Sequence, residues 1–444
     1  MKKITLFSIA LLMMFLTVAG LASGEVFAAT DIEVPVSTGL KVLAADSTMA
    51  VSALTGKEKS FSPEDFERAL NLKRVNYITI TKLPDPAVGT LYLGSEGVSV
   101  GKTIARENLH KLSYVGKSEG VSSNSFSFTT GGGYELECSI YMLGSENYCP
   151  VTGGISEISL EVSTYRNVSV YGTLSGSDPD GDEISFEVVS YPKNGSLVML
   201  GGGEYRYTPL KNYTGKDSFK YVVCDKYGNY SSASAVSLEV SGTKLTSVLS
   251  DMGGKRAHAS AITMVEKGIM DCENSQGKLL FSPSGAVSRE EFLVMVMKAA
   301  GINYTEGQSI SGNAAPINTG FADDSDISAS AKNYVYLAKQ KGFIRGSEEG
   351  SSVCFYPKRD ITVAEAAVMI DNIIGATEMV ANTTASQTVF ADHIDIPVWA
   401  ENSIRSLNYI GVMADTRGYI YPEKTLERAS CAMMLEAVMK LMDK

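Results

Sequence analysis

A multidomain chain, with N-terminal all-β sandwich modules and a C-terminal all-α array of threefold character, is the fold class that the sequence predicts. Three observations carry this. Short runs of alternating apolar and polar residues, broken by Gly, Pro, Ser and Asn, fill the first half. After about Lys244 the apolar period lengthens to that of a helix. The second half also writes one phrase three times, as "VSREEF" at 287–292, "ITVAEA" at 361–366 and "LERASC" at 426–431. At 444 residues the chain has room for several cores.

The chain opens with Lys2 and Lys3, an apolar run from Ile4 to about Ala22 and small residues in "VFAAT", which is the layout of a cleavable secretory signal over 1–29. Export is therefore expected. No span is expected after cleavage, because no later apolar run reaches about twenty residues. A net charge of -11 argues against nucleic acid as partner, since phosphates must be met by Lys and Arg. Six scattered cysteines do not make a disulfide framework. Cys138 and Cys149 are the close pair and the one candidate bridge, whereas Cys224, Cys272, Cys354 and Cys431 read as buried small apolar residues.

Residues 30–152 form the first β-rich domain, with "VNYITITKL", "GTLYLG" and "SFSFTT" as strands. Within it "SFSPEDFERALNL" predicts a short helix, with Ser62 as cap, Pro63 at its first position, Glu64 and Asp65 in its first turn and an end near Asn71. Residues 153–243 repeat the theme in "EISFEVV", "GSLVML", "GEYRYTP", "DSFKYVVCD" and "AVSLEV". Gly195-Ser196-Leu197 echoes Gly89-Thr90-Leu91, and "DSFKY" echoes "NSFSF", so the two segments read as diverged copies of one sandwich. From "SGSDPDGDEISF" through "YRYTPLKNYTGKDSFKY" to "VCDKYGN" this second segment resembles the cadherin-like, Ig-like modules of bacterial surface proteins. In "DPDGD", Asp178, Asp180 and Asp182 place oxygens at alternate positions of a turn, which suits calcium, with Asp225 as a further ligand; a solvated turn built by Pro179 and Gly181 explains the same residues.

The array divides at 244–317, 318–386 and 387–444. Pro283, Pro357 and Pro422 stand in one register, followed six residues later by Arg289, Val363 and Arg428. Phe281, Phe355 and Ile420 precede the prolines by two; Gly268, Gly342 and Gly411 end an earlier helix; Asp251, Asp323 and Asp392 open each copy. In "SREE" and "TVAE" the first and last residues make a capping box, so the phrase is a helix start and only its arginine calls for another account.

With "FAD" at 321 and 390, "VWAENSIRSLNYIGVM", "GKLLFSPSGAVSREEF" and the proline-to-arginine spacing, this half resembles the S-layer homology domain, three of which commonly stand together. The resemblance implies lobes around a pseudo-threefold axis, a central helical bundle, and grooves that hold secondary cell-wall polysaccharide through an acidic, often pyruvylated sugar. It implies that Arg289, Arg428 and Trp399 contact that sugar, with Asp251, Asp323 and Asp392 at the matching acidic positions. The residues themselves favour a loop-fixing role for those acids, through backbone N–H groups. Val363 departs from the arginine, and Arg256 and Ser330 stand where Trp399 has its equivalents, so one or two working grooves are expected.

Three histidines, His110, His258 and His393, lack metal or catalytic spacing, and no nucleophile elbow, Walker loop or dinucleotide fingerprint occurs. The expectation is a non-enzymatic, wall-anchored surface protein without a required cofactor. Two other readings stand beside it: a wall-associated hydrolase with its site in 30–152, for which Glu64 and Asp65 would serve only with a partner carboxylate across a cleft and are better explained by the first turn of the helix, and a calcium-dependent adhesin or self-assembling lattice subunit.

Overall fold

The computed structural model describes residues 49–442 apart from 71, 118–122, 131–134, 154–160, 246–248, 304–316, 382–389 and 414–417. The expected signal segment, 1–29, lies outside the described residues.

The first sandwich comprises β1 (Met49–Leu54), β2 (Glu58–Ser60), α1 (Pro63–Ala69), β3 (Tyr77–Lys82), β4 (Gly89–Leu93), β5 (Glu96–Gly97), β6 (Thr103–Ala105), β7 (Leu112–Gly116), β8 (Ser123–Thr129) and β9 (Glu135–Leu143). Its sheets run β1-β9-β8-β3-β6 and β2-β7-β4-β5. Period-two alternation sends Ile78, Ile80, Phe126, Phe128 and Ile140 inward, where all are fully buried. In α1 the Ser62 hydroxyl accepts from the Asp65 N–H at 3.2 Å, and the Asp65 carboxylate accepts from the Ser62 N–H at 2.7 Å. This capping box turns Phe66 into the core, edge-on to Phe128 at 5.3 Å, and the helix stops at Leu70.

The second sandwich comprises β10 (Val151–Thr152), β11 (Glu161–Tyr165), β12 (Val170–Thr173), β13 (Gly176–Ser177), β14 (Ile184–Ser190), β15 (Gly195–Gly201), β16 (Glu204–Pro209), β17 (Gly215–Asp225) and β18 (Ser234–Ser241). Its sheets run β11-β18-β17-β14 and β12-β16-β15, with β10 paired to β13. In both sandwiches the first strand of the larger sheet lies parallel to the last, β1 on β9 and β11 on β18. The sequence echo is a shared device. Leu91 pairs with Tyr114 and Leu197 with Tyr207; the ring of each tyrosine lies on a glycine, where a Cβ on Gly89 would fall 2.1 Å from the Tyr114 hydroxyl and one on Gly195 2.3 Å from the Tyr207 ring. Each hydroxyl meets the first residue of the echoed phrase, Asn124 at 2.9 Å and Asp217 at 3.0 Å. Only glycine leaves that space.

The sandwiches join through Asn147, whose amide donates to the buried Asp225 at 2.6 Å, and through Arg68 stacked on Tyr230 at 5.0 Å. Every cysteine is a free thiol. The Cys138–Cys149 bridge is thereby corrected: Cys138 points into the first core while Cys149 is exposed in the connection beyond it. Burial pushes the Cys138 thiol far up and the Cys431 thiol up to about 12, so both are inert; Cys224 and Cys272, expected inside, are partly exposed.

In the helical region each copy pairs an outer with an inner helix. These are α2 (His258–Glu266) with α3 (Arg289–Ala299), α4 (Ala329–Gln340) with α5 (Val363–Ile374), and α7 (Glu401–Tyr409) with α8 (Arg428–Met442); a short α6 (Ala376–Val380) follows α5. Hairpins β19–β20 (Glu273–Ser275, Lys278–Leu280) and β21–β22 (Ser347–Glu349, Ser352–Cys354) connect the first two pairs. Packing is cyclic: α2 lies on α8, α4 on α3 and α7 on α5, so each inner helix is covered by the outer helix of the next copy.

The repeated phrase closes that cycle. The Val287 N–H donates to the Leu426 carbonyl at 3.3 Å, Leu426 to Ile361 at 2.9 Å, and Ile361 back to Val287 at 3.0 Å. All three side chains are buried. The first two N–H groups of each inner helix, otherwise orphans, find carbonyls of the neighbouring copy. Arg289 and Glu290 donate to Arg359 and Pro357, Val363 and Ala364 to Lys424 and Pro422, and Arg428 and Ala429 to Gly285 and Pro283. The proline stands six residues before the helix because its own carbonyl, and the one two residues on, cap a different copy.

Candidate functional site

The leading acids hold the turn that this ring requires. Ser282, Tyr356 and Tyr421, each directly before its proline, have φ of 56°, 56° and 54°. Left-handed backbone costs a non-glycine residue about 1 kcal/mol or more, and a following proline restricts it further. A carboxylate brackets each such turn. Asp251 accepts from Phe281 and Ser282 at 2.9 and 2.7 Å, Asp323 from Phe355 and Tyr356 at 2.8 and 2.7 Å, and Asp392 from Ile420 and Tyr421 at 3.1 and 2.7 Å. Both oxygens of each acid serve the backbone, and none of the three lines the concavity described next.

That concavity, of about 440 Å³, gathers Arg289 from the first copy, Arg345, Glu365, Met369 and Asn372 from the second, and Trp399 from the third. Arg289 is placed by the first helical turn of α3, whose box joins Ser288 and Glu291. Its guanidinium lies over the Phe355 ring at 5.6 Å and reaches Glu365 at 3.5 Å, beyond good hydrogen-bond length. Glu365 is shared with Arg359 and with the Thr362 cap. Burial pulls the Arg289 pKa below its ordinary value, Glu365 opposes this and Arg359 adds to it. A cation drawn out of water with a distant counter-ion is poised for an incoming anion. Arg345 is exposed, and the Trp399 indole is 59% exposed, enough to offer a face to a ligand.

Arg428 holds the same position in the third copy and ends differently. It stacks on Phe281 at 4.8 Å, but its Nε donates to the Phe281 carbonyl at 2.9 Å and its Nη2 to the Asp271 carbonyl at 2.5 Å. Asp271, three residues after Gly268, is the counterpart of Arg345, three after Gly342. Val363 meets a loop whose aromatic is replaced by Ile420, so arginine and phenylalanine are lost together at the second copy. Sequence reading placed Phe281 and Phe355 in the repeat register without giving them a part in the groove, and passed over Arg345; the joint loss at Val363 and Ile420 is the signal that points to the stacked pair.

Elsewhere, one oxygen each of Asp178, Asp180 and Asp182 lies within 4.8 Å of the others. The Asp178 Oδ2 is buried without a partner. Asp180 accepts from the Tyr148 N–H at 2.7 Å, and one oxygen of Asp182 pairs with the Lys226 ammonium at 3.0 Å. Glu64, the hydrolase candidate, pairs with Arg106 at 3.1 Å, and Asp65 is spent in the α1 cap.

Residues 149–237 match the bacterial Ig domain family, and residues 320–367 match the S-layer homology domain family. The chain thus carries a bacterial Ig domain followed by an S-layer homology domain, the latter spanning the second acid, the second hairpin and the start of α5. Such a domain implies attachment to the cell wall, through wall polysaccharide, and a place on the cell surface. The protein GAMETE EXPRESSED 2 of Arabidopsis thaliana is 35% identical over 100 residues, 22% of this chain and 11% of its own length. The chain therefore spans about a tenth of that relative. Among solved structures, fibronectin(III)-like modules of Clostridium thermocellum CbhA share 14% identity over 46% of this chain and 95% of theirs, with a TM-score of 0.21. Domains 4-9 of surface layer protein SbsC share 13% over 46% of this chain and 32% of theirs, with a TM-score of 0.15. No helix among the described residues is long and apolar enough to cross a membrane.

Proposed function

We propose that this protein is held on the wall non-covalently by its helical region, which binds an acidic secondary wall polysaccharide in the Arg289 groove, and that the two sandwiches act as a spacer or adhesive part projecting from it. The observation that carries this reading is the meeting of Arg289, Arg345 and Trp399, one from each copy, in one concavity. A guanidinium fork takes a sugar carboxylate through paired charge-assisted hydrogen bonds, which lysine or valine cannot do. The indole stacks on the C–H face of the ring, and the Asn372 amide supplies a donor and an acceptor for hydroxyls. A local cluster of cations binds an anion in spite of the net charge of -11. The role in this reading is binding without catalysis, and the engagement of Glu64 with Arg106 and of Asp65 with the helix cap supports it.

The test is sedimentation of the secreted chain with purified wall sacculi. Binding is expected to intact sacculi and to the extracted acidic polymer, and to be lost on sacculi stripped of it. Equal binding to stripped sacculi would overturn the reading.

A further inference from the structure

The first copy departs from the others in two ways. It is two residues shorter between Asp251 and Gly268, 17 positions against 19 in each of the other two, and it carries Arg256 where the third copy carries Trp399. Both departures face the Ig module. The Arg256 Nη1 and Nη2 donate to the two Glu204 oxygens at 3.0 and 2.7 Å, a fork-to-carboxylate pair that reaches from the start of α2 to the start of β16. The same guanidinium lies over the Tyr171 ring of β12 at 5.2 Å, and the Tyr171 hydroxyl donates to the Gly254 carbonyl at 3.3 Å. From the other sheet, the Tyr165 hydroxyl of β11 meets the Thr263 hydroxyl at 3.1 Å. Between these polar contacts Val168 is buried in the same apolar cluster as Leu249 and Met252 of the helical region.

We propose that the first copy is a docking seat for the Ig module of its own chain in place of a third ligand site, so that the module leaves the helical region at a fixed angle. The occupant is defined by chemistry: a carboxylate beside an aromatic ring at the end of a sandwich, which Arg256 grips by charge and by stacking. Contacts from both sheets, Glu204 and Tyr171 on one and Tyr165 on the other, resist rocking about a single point. The side chains of Arg256 and Glu204 are 51% and 41% exposed, so their pairing contributes only part, and buried Val168 supplies the apolar remainder. At the groove equivalent to that of Arg289, the arginine has become Val363 and the indole has become Arg256, which is turned away to the Ig module; both losses have one explanation.

The experiment is a charge swap in the full secreted chain, read by deuterium exchange of the joint segments 161–173 and 251–263. Glu204→Arg and Arg256→Glu are each expected to speed exchange in both segments about two- to fivefold, as befits a half-exposed pair. The double swap is expected to restore the wild-type rate, while wall binding stays unchanged throughout. Thermal melting of each variant checks that both modules remain folded. Wild-type exchange in either single reversal, or a double swap no slower than the singles in folded protein, would overturn the proposal. Because wall binding is measured separately, its failure would leave this result standing.

Discussion

Arg289 and Arg428 occupy one position of two copies, and each lays its guanidinium over the phenylalanine of the copy that follows in the ring. Around Arg289 stand Arg345, Glu365 and the exposed face of Trp399. Around Arg428 stand two backbone carbonyls, already accepting from it, with Ser330 at the tryptophan position and Asp271 in place of Arg345. The same residue type at the first position of an inner helix thus meets different neighbours. In the proposed reading one keeps its donors for a ligand, while the other spends them tying the third copy to the first.

The largest expected effect breaks the comparison at Arg289. Arg289→Ala is expected to weaken sedimentation with sacculi by about 10- to 100-fold, the loss of a bidentate charged contact, and Arg289→Lys to recover little of it. Arg428→Ala reverses the pattern. Wall binding is expected to stay within about threefold of wild type, while urea unfolding shows a loss of about 1–2 kcal/mol, since two carbonyls lose a charged donor at a partly exposed site. If instead Arg428→Ala abolishes binding at unchanged stability, the two arginines are equivalent after all.

Trp399→Ala sharpens the contrast further, because only the Arg289 groove has an indole. A drop of about two- to tenfold in affinity for the extracted polymer is expected, consistent with one stacking contact. The smallest effect is one of pH. Beside Arg289, the buried Glu290 carboxylate accepts from the Ser328 N–H at 3.0 Å and from its hydroxyl at 2.5 Å, and pairs with Lys358; beside Arg428 the same position is Ala429. Burial would raise the Glu290 pKa, but the bonds from Lys358 and Ser328 outweigh it and leave it below the ordinary 4.5. A depressed pKa means stability present above the unfolded value and lost as pH falls through the folded one. Stability is therefore expected to fall as pH drops below about 4.5, and Glu290→Gln to remove that acid-sensitive part in urea unfolding followed against pH.

Much of the architecture was legible from spacing. The cap at Ser62, the boxes at Ser288 and Thr362, and the glycine stops at Gly301 and Gly375 are local rules obeyed locally, with φ of 76° and 73° at the two glycines. The Gly–Tyr device of the sandwiches was legible only as an echo in "GSL" and "GTL", since what makes glycine necessary is a ring on the neighbouring strand. The leading acids could be placed at the start of each copy, yet that they bracket a left-handed residue about thirty positions later required the turn itself to be seen.

By itself the sequence determined that three copies of helix, loop and helix exist, where their inner helices begin, and that an arginine opens two of them, because caps, prolines and apolar periods act over a few residues. The tertiary structure alone decided which arginine stays available. That depends on cyclic closure, in which the first turn of each inner helix is completed by a different copy, so the neighbours of Arg289 and Arg428 come from segments 56 or more residues away. Hydrogen-bond donors are used up by whatever carbonyl lies within reach, and reach in a closed ring is set by three dimensions, not by position along the chain.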